Sequence, residues 1–149
     1  MNFENQKLKE FNEYIYGKRV AIIGLGVSNL PLIDYFYEKR AKVTVFDNKE
    51  ILDIPKEILD KVTNYSMEFS FGNNYLSKLS GFDLILRSPS CLPTVDELKK
   101  EEERGAIVTT EIEQLMKMVP CKVVGITGSD GKTTTTSLTY EVLKKSGYT

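Results

Sequence analysis

At 149 residues, with 41% hydrophobic and 28% charged side chains, the chain has the proportions of one soluble globular domain, with room for a fragment of a second. Twenty basic groups against 21 acidic ones leave a formal charge of −1, so no long-range field favours nucleic acid and any bound anion must be held locally. The longest apolar runs are too short to span a bilayer and the N-terminus has no apolar signal core, so a cytoplasmic protein with no membrane partner is expected.

Residues 3–16 read as a short amphipathic helix closed by Gly17. "KRVAIIG", 18–24, is a continuous apolar strand of the kind covered on both faces. A helix over 28–39 follows, with Pro31 in its first turn and Leu30, Ile33 and Tyr37 toward the core. "KVTVFD", 42–47, is the next strand, and strand, glycine turn, helix, strand makes a βαβ unit with parallel strands. A helix over 51–62, a weaker strand over 65–71 and a buried strand over 82–88 continue the alternation. Thr94 with Glu97 predicts a capping box, Gly105 ends that helix, 106–108 is a short strand, and Thr110 with Glu113 repeats the box. Pro120 then precedes a strand over 121–127, a glycine loop and a last helix over 132–146. Cys91 and Cys121, in a chain without histidine, argue against a zinc-type site and read as buried free thiols.

Two glycine loops carry the chemistry. In "GLGVSN", 24–29, a strand runs into a helix, the context in which backbone N–H groups receive a pyrophosphate, and Asp47 closes the second strand where a ribose-binding carboxylate would sit. Asn29 replaces the third glycine of G-x-G-x-x-G, which puts a standard NAD cradle in doubt. A tight turn without ligand, and an Asp47 that is merely solvated beside Asn48 and Lys49, are the bland alternatives. In "GSDGKT", 128–133, the glycines let N–H groups converge, Lys132 meets the β and γ phosphates, and the Thr133 hydroxyl can ligate Mg²⁺. Ile126 stands where a standard P-loop has its first glycine, and Asp130 puts a carboxylate in the cradle that must turn outward or lie near the metal.

"GITGSDGKTTTT" resembles the ATP-binding loop of the Mur ligases, the ATP-dependent amide-forming enzymes of peptidoglycan precursor synthesis; the related folylpolyglutamate synthetases share the T-G-x-x-G-K-[ST] pattern. "AIIGLGVSNLPLIDYF", "VTVFDNK", "DLILRSPSCLP" and "TTEIEQL" are similar to successive signatures of the branch that adds D-glutamate. The resemblance implies an α/β fold: a Rossmann-like, parallel-sheet domain over 1–119 that binds a UDP-sugar, then 120–149 as the first strand, P-loop and helix of a truncated ATPase domain. It implies Gly24 in the UDP-sugar site, Gly26, Val27 and Ser28 at the diphosphate, Asp47, Asn48 and Lys49 at the uracil, and Ser88, Pro89 and Ser90 across from it, Ser90 standing where the family has glycine. Gly128, Ser129, Asp130, Gly131, Lys132, Thr133 and Thr134 would bind ATP, with Lys132 and Thr133 catalytic and Thr133 on Mg²⁺. The implied partners are UDP-N-acetylmuramoyl-L-alanine, D-glutamate and ATP, for a monomeric full-length enzyme of which this piece binds the uridine nucleotide and is inactive alone. An L-alanine-adding Mur ligase, a nicotinamide-dependent dehydrogenase and a non-catalytic nucleotide sensor are the competing readings. Residues 120–149, holding half a core, are expected to be the most mobile or the most rearranged.

Overall fold

The apolar run after Gly17 becomes the centre of the sheet. In the computed structural model, which describes residues 5–26 and 29–148, β1 (Arg19–Ile23) lies between β2 (Lys42–Asp47) and β4 (Leu84–Arg87). β3 (Glu68–Phe71) flanks β2 and β5 (Ile107–Thr109) flanks β4. Every pairing is parallel, with Val20 opposite both Val43 and Leu84. Crossovers run through α2 (Leu30–Glu38), α3 (Lys56–Asn64) and α4 (Asp96–Glu103), while α1 (Gln6–Ile15) precedes the sheet and α5 (Glu111–Met118) follows it.

Because side chains alternate along a strand, β1 feeds two cores. Val20 and Ile22 join Phe11, Ile15, Ile33, Phe36, Ile58 and Val62 beneath α1, α2 and α3. Ala21 and Ile23 join Phe46, Ile85, Leu76, Phe82 and Leu98 on the α4 side. Asn5 fastens the outer helices: its side-chain oxygen accepts the Leu8 N–H at the start of α1 and its amide donates to the Met118 carbonyl at the end of α5 (3.0 Å). The buried Glu101 carboxylate accepts the Gly81 and Phe82 N–H groups (2.7 and 3.1 Å) and pairs with Arg104, so the turn into β4 is tied to α4.

Several expectations are corrected. The helix over 51–62 is split: Ile51–Asp53 is a single 3₁₀ turn, and α3 starts after Pro55, which has no N–H to continue the first segment, and runs to Asn64. That extension delays the strand expected from residue 65 until Glu68. On α2 the core face is Ile33 with Phe36; Tyr37, one residue further round, is exposed and stacks on Tyr65 with centroids 3.8 Å apart. Thr94 does not cap α4, whose N-cap is Val95 with no side-chain bond, whereas Thr110 and Glu113 form the full capping box. Cys91 is buried but Cys121 is exposed.

The largest departure follows Pro120. Residues 121–127 form no strand: Val123 and Val124 are exposed, and without a neighbouring strand the segment's N–H and C=O groups have no ladder to join. The last helix, α6 (Lys132–Lys145), forms with the expected bounds to within a residue but has no buried side chain. Among the described residues no helix is long and apolar enough to cross a membrane.

Thr110→Ala should cost about 1 kcal/mol in urea denaturation and Thr94→Ala less than about 0.5; equal losses would contradict this assignment of caps. Asp83 is held below the usual carboxylate range by the Arg19 N–H and then by Lys18, Asp34 by Lys61 and Tyr65, and Glu113 by Thr110 and Thr109. A lowered folded pKa means stability that is full above the unfolded value and lost as the pH falls through the folded one. The melting temperature should therefore drop on acidification below about pH 4, and Asp83→Asn should flatten that drop in a pH series of melting curves.

Candidate functional site

Parallel strands bring all their C-terminal ends to one edge, and the ligand crevice of a doubly wound sheet opens where the winding reverses. Here the reversal lies between β1 and β4. Gly24 follows β1 with φ +86°, a conformation that favours glycine, and a Cβ there would lie 2.6 Å from the Ser88 hydroxyl that follows β4. The Ser88 N–H donates to the Ile23 carbonyl (2.8 Å), so the two loops abut directly. The Ser88 and Ser90 hydroxyls bond each other (2.8 Å), the Cys91 N–H donates to the Ser88 carbonyl (3.0 Å), and Arg87 Nη1 donates to the Cys91 carbonyl (3.1 Å). Ser88 is half-buried, while Pro89 and Ser90 are exposed at the rim.

Asp47 is not the solvated residue of the bland reading. It is 5% exposed; Oδ2 accepts the Leu25 N–H (2.6 Å) and Oδ1 accepts the Lys49 N–H (2.9 Å), so one carboxylate braces the glycine loop and its own turn. Asn48 and Lys49 stand exposed beside it. Gly26 is open: nothing lies within 4 Å of a Cβ built there, and its carbonyl accepts the Asn29 and Leu30 N–H groups as α2 begins. Val27 and Ser28 lie outside the described residues.

Four further residues belong to this end of the sheet and escaped the sequence reading as site residues. Asn29 is buried, its amide donating to the carbonyls of Ile23 and Gly24. Tyr75, in the 3₁₀ turn Tyr75–Lys78, has its phenol pushed up to about 12 by burial, with Cys91, Asp47 and Glu97 adding to the effect. Burial likewise raises the Cys91 thiol, against a smaller opposing pull from the Tyr75 hydrogen bond and from Arg87. Arg87 also makes the smallest of the contributions that hold Glu113 low. A charged residue ending the apolar run "LILR" is a visible signal for Arg87; nothing in the sequence marks Tyr75, which the 3₁₀ turn delivers.

The second loop stands apart, joined to the first by no hydrogen bond or ion pair among the described residues. Gly128 and Gly131 have φ +151° and +74°, and α6 starts at Lys132 with no side-chain cap on its first N–H groups. Lys132 Nζ donates to the carbonyls of Gly128 and, at 3.1 Å, Ser129. Asp130, Thr133 and Thr134 are exposed.

A glycine loop, a braced aspartate and a serine turn at the switch point of a parallel sheet define a Rossmann-like α/β domain. Residues 18–110 match the family model described as Mur ligase MurD-like, N-terminal domain, and the chain belongs to that family. It is 45% identical over 145 residues to the UDP-N-acetylmuramoylalanine--D-glutamate ligase of Clostridium tetani, a match covering 97% of this chain and 31% of that protein. The proteins of the same name from Clostridium acetobutylicum and Clostridium botulinum strain Hall are 41% and 46% identical over 139 residues, covering 93% of this chain and 30% of theirs. The chain thus spans about a third of the length of these relatives.

Gly24→Ala should lower stability by about 1–3 kcal/mol, through its φ and the contact with Ser88, whereas Gly26→Ala, with open space and no left-handed φ, should stay within about 1 kcal/mol. Urea denaturation of both variants checks this; a Gly24→Ala as stable as Gly26→Ala would show that the two loops do not abut as described.

Proposed function

We propose that this chain is the uridine-nucleotide-binding part of an ATP-dependent ligase that joins D-glutamate to UDP-N-acetylmuramoyl-L-alanine in peptidoglycan precursor synthesis. The observation that carries the reading is the meeting of Gly24, Asp47 and Ser88 at the switch point of the sheet, in a chain whose curated relatives bear that ligase's name. Gly26 with Val27 and Ser28 would hold the diphosphate, since the Gly24 and Leu25 N–H groups are already engaged with Phe46 and Asp47. Asp47, Asn48 and Lys49 on one side and Ser88, Pro89 and Ser90 on the other would flank the uracil.

In the whole enzyme the carboxylate of UDP-N-acetylmuramoyl-L-alanine would take the γ-phosphoryl group of ATP. The amine of D-glutamate would then attack the acyl carbon and expel phosphate. Such chemistry asks for positioning and charge neutralisation more than for a protein nucleophile. Two features of the second loop support a triphosphate there: its two glycines with positive φ, and a start of α6 that no side chain caps. Lys132 would exchange its carbonyl partners for phosphate oxygens, the N–H groups from Gly128 to Thr134 would line the cradle, and the exposed Asp130 has room to turn away from it. Mg²⁺, held in part by the Thr133 hydroxyl, would neutralise phosphate charge. We propose a monomeric, cytoplasmic protein.

Calorimetric titration with UDP-N-acetylmuramoyl-L-alanine, UDP and NADH tests this. Both uridine ligands should bind, NADH should not, and Asp47→Ala should weaken the uridine ligands at least about tenfold, because it frees the Leu25 and Lys49 N–H groups together. Binding of NADH alone would return the crevice to dehydrogenase chemistry. ATP-dependent ligation by these 149 residues alone is not expected, given the share of the relatives that they span.

A further inference from the structure

The third position of the glycine fingerprint is where a helix ordinarily gains close approach to its strand by having no side chain. Asn29 occupies it here, 3% exposed, with its Nδ2 donating to the Ile23 carbonyl (3.0 Å) and the Gly24 carbonyl (2.9 Å). The Ile23 carbonyl also accepts the Ser88 N–H (2.8 Å), so both of its lone pairs are used and the amide is linked through it to the turn after β4. From the other side the Gly24 N–H donates to the Phe46 carbonyl (2.7 Å) and the Leu25 N–H to Asp47 (2.6 Å). Asn29 is also the N-cap of α2, yet its side chain bonds no N–H of that helix: it faces back into the loop.

These bonds satisfy both the N–H and the carbonyl of Gly24 before any ligand arrives. A loop so held need not be ordered by its ligand, and carbonyl oxygens that would repel phosphate are kept occupied. We propose that Asn29 is a positioning residue that presets loop 24–26 for a diphosphate, replacing by an amide splint the close helix approach that a third glycine allows. This rests on the nucleotide reading above and adds a division of labour to it. Asn29 acts on the diphosphate end through Gly24, and makes none of its described side-chain bonds to the turn at Asp47, Asn48 and Lys49 that would meet the base.

The test compares UDP with uridine, by NMR titration of the chain and of Asn29→Gly and Asn29→Asp, the second keeping the size of the side chain but losing its donors. UDP affinity should fall about tenfold in both variants, as expected for two lost hydrogen bonds, while uridine affinity changes less than about twofold. The Leu25 amide should exchange with solvent about tenfold faster. An equal loss for UDP and uridine, or unaltered UDP affinity, would overturn the positioning role. Should Asn29→Asp not fold, Asn29→Gly, which has no penalty at the φ of −88° found there, decides alone. If the unaltered chain binds no UDP, the nucleotide reading itself fails; the Leu25 exchange rate then decides the splint, and unchanged protection in both variants overturns it.

Discussion

A parallel sheet cannot present a bare face to water, because its strands are near-continuous apolar runs and its crossovers must cover both sides. Everything in this domain follows from satisfying that constraint at β1. Val20 and Ile22 need α1, α2 and α3 above them; Ala21 and Ile23 need α4 and the turn around Leu76 and Phe82 below. Once β1 is buried on both faces and paired on both edges, its one free direction is along its axis, and the chain leaves it through Gly24.

That exit is why the site lies where it does. With β2 and β4 as neighbours in parallel register, Asp47 and Ser88 arrive at the height of Gly24 without any long side chain having to reach. The loop is then held by short, mostly backbone-directed bonds: Asp47 to the Leu25 N–H, Asn29 to two carbonyls, Ser88 to Ile23. Of the basic groups at this end, Lys49 is exposed and Arg87 half-buried. The crevice is shaped by backbone bonds more than by a strong field.

Strands β1, β2 and β4 were legible because they depend on local signals. The apolar runs of β1, β2 and β4 and the glycines after β1 need only their own residues to be read. What misled were features decided by neighbours. Thr94 and Thr110 have the same spacing to a glutamate, but α4 starts one residue later than its threonine requires, with Asp96 and Glu97 in its first turn to meet the helix dipole instead. Tyr37 lay on the plausible face until the start of α2 at Leu30 fixed Ile33 and Phe36 inward. Asn29 was visible as a missing glycine, but its two bonds exist only after β1 and α2 have been brought together.

The same distinction separates the two glycine loops. The first is held from outside itself by β2, β4 and α2, so its shape is a property of the whole sheet. The second is preceded by 121–127, which has no strand partner, and followed by α6, which buries nothing; within it, Lys132 bonds the carbonyls of Gly128 and Ser129. A phosphate entering there would compete with those carbonyls for the Lys132 ammonium group. A glycine loop followed by a helix is therefore only half of an anion site; the other half is whatever holds the strand that leads into it, and here that support is present for residues 24–29 and absent among the described residues for 128–133.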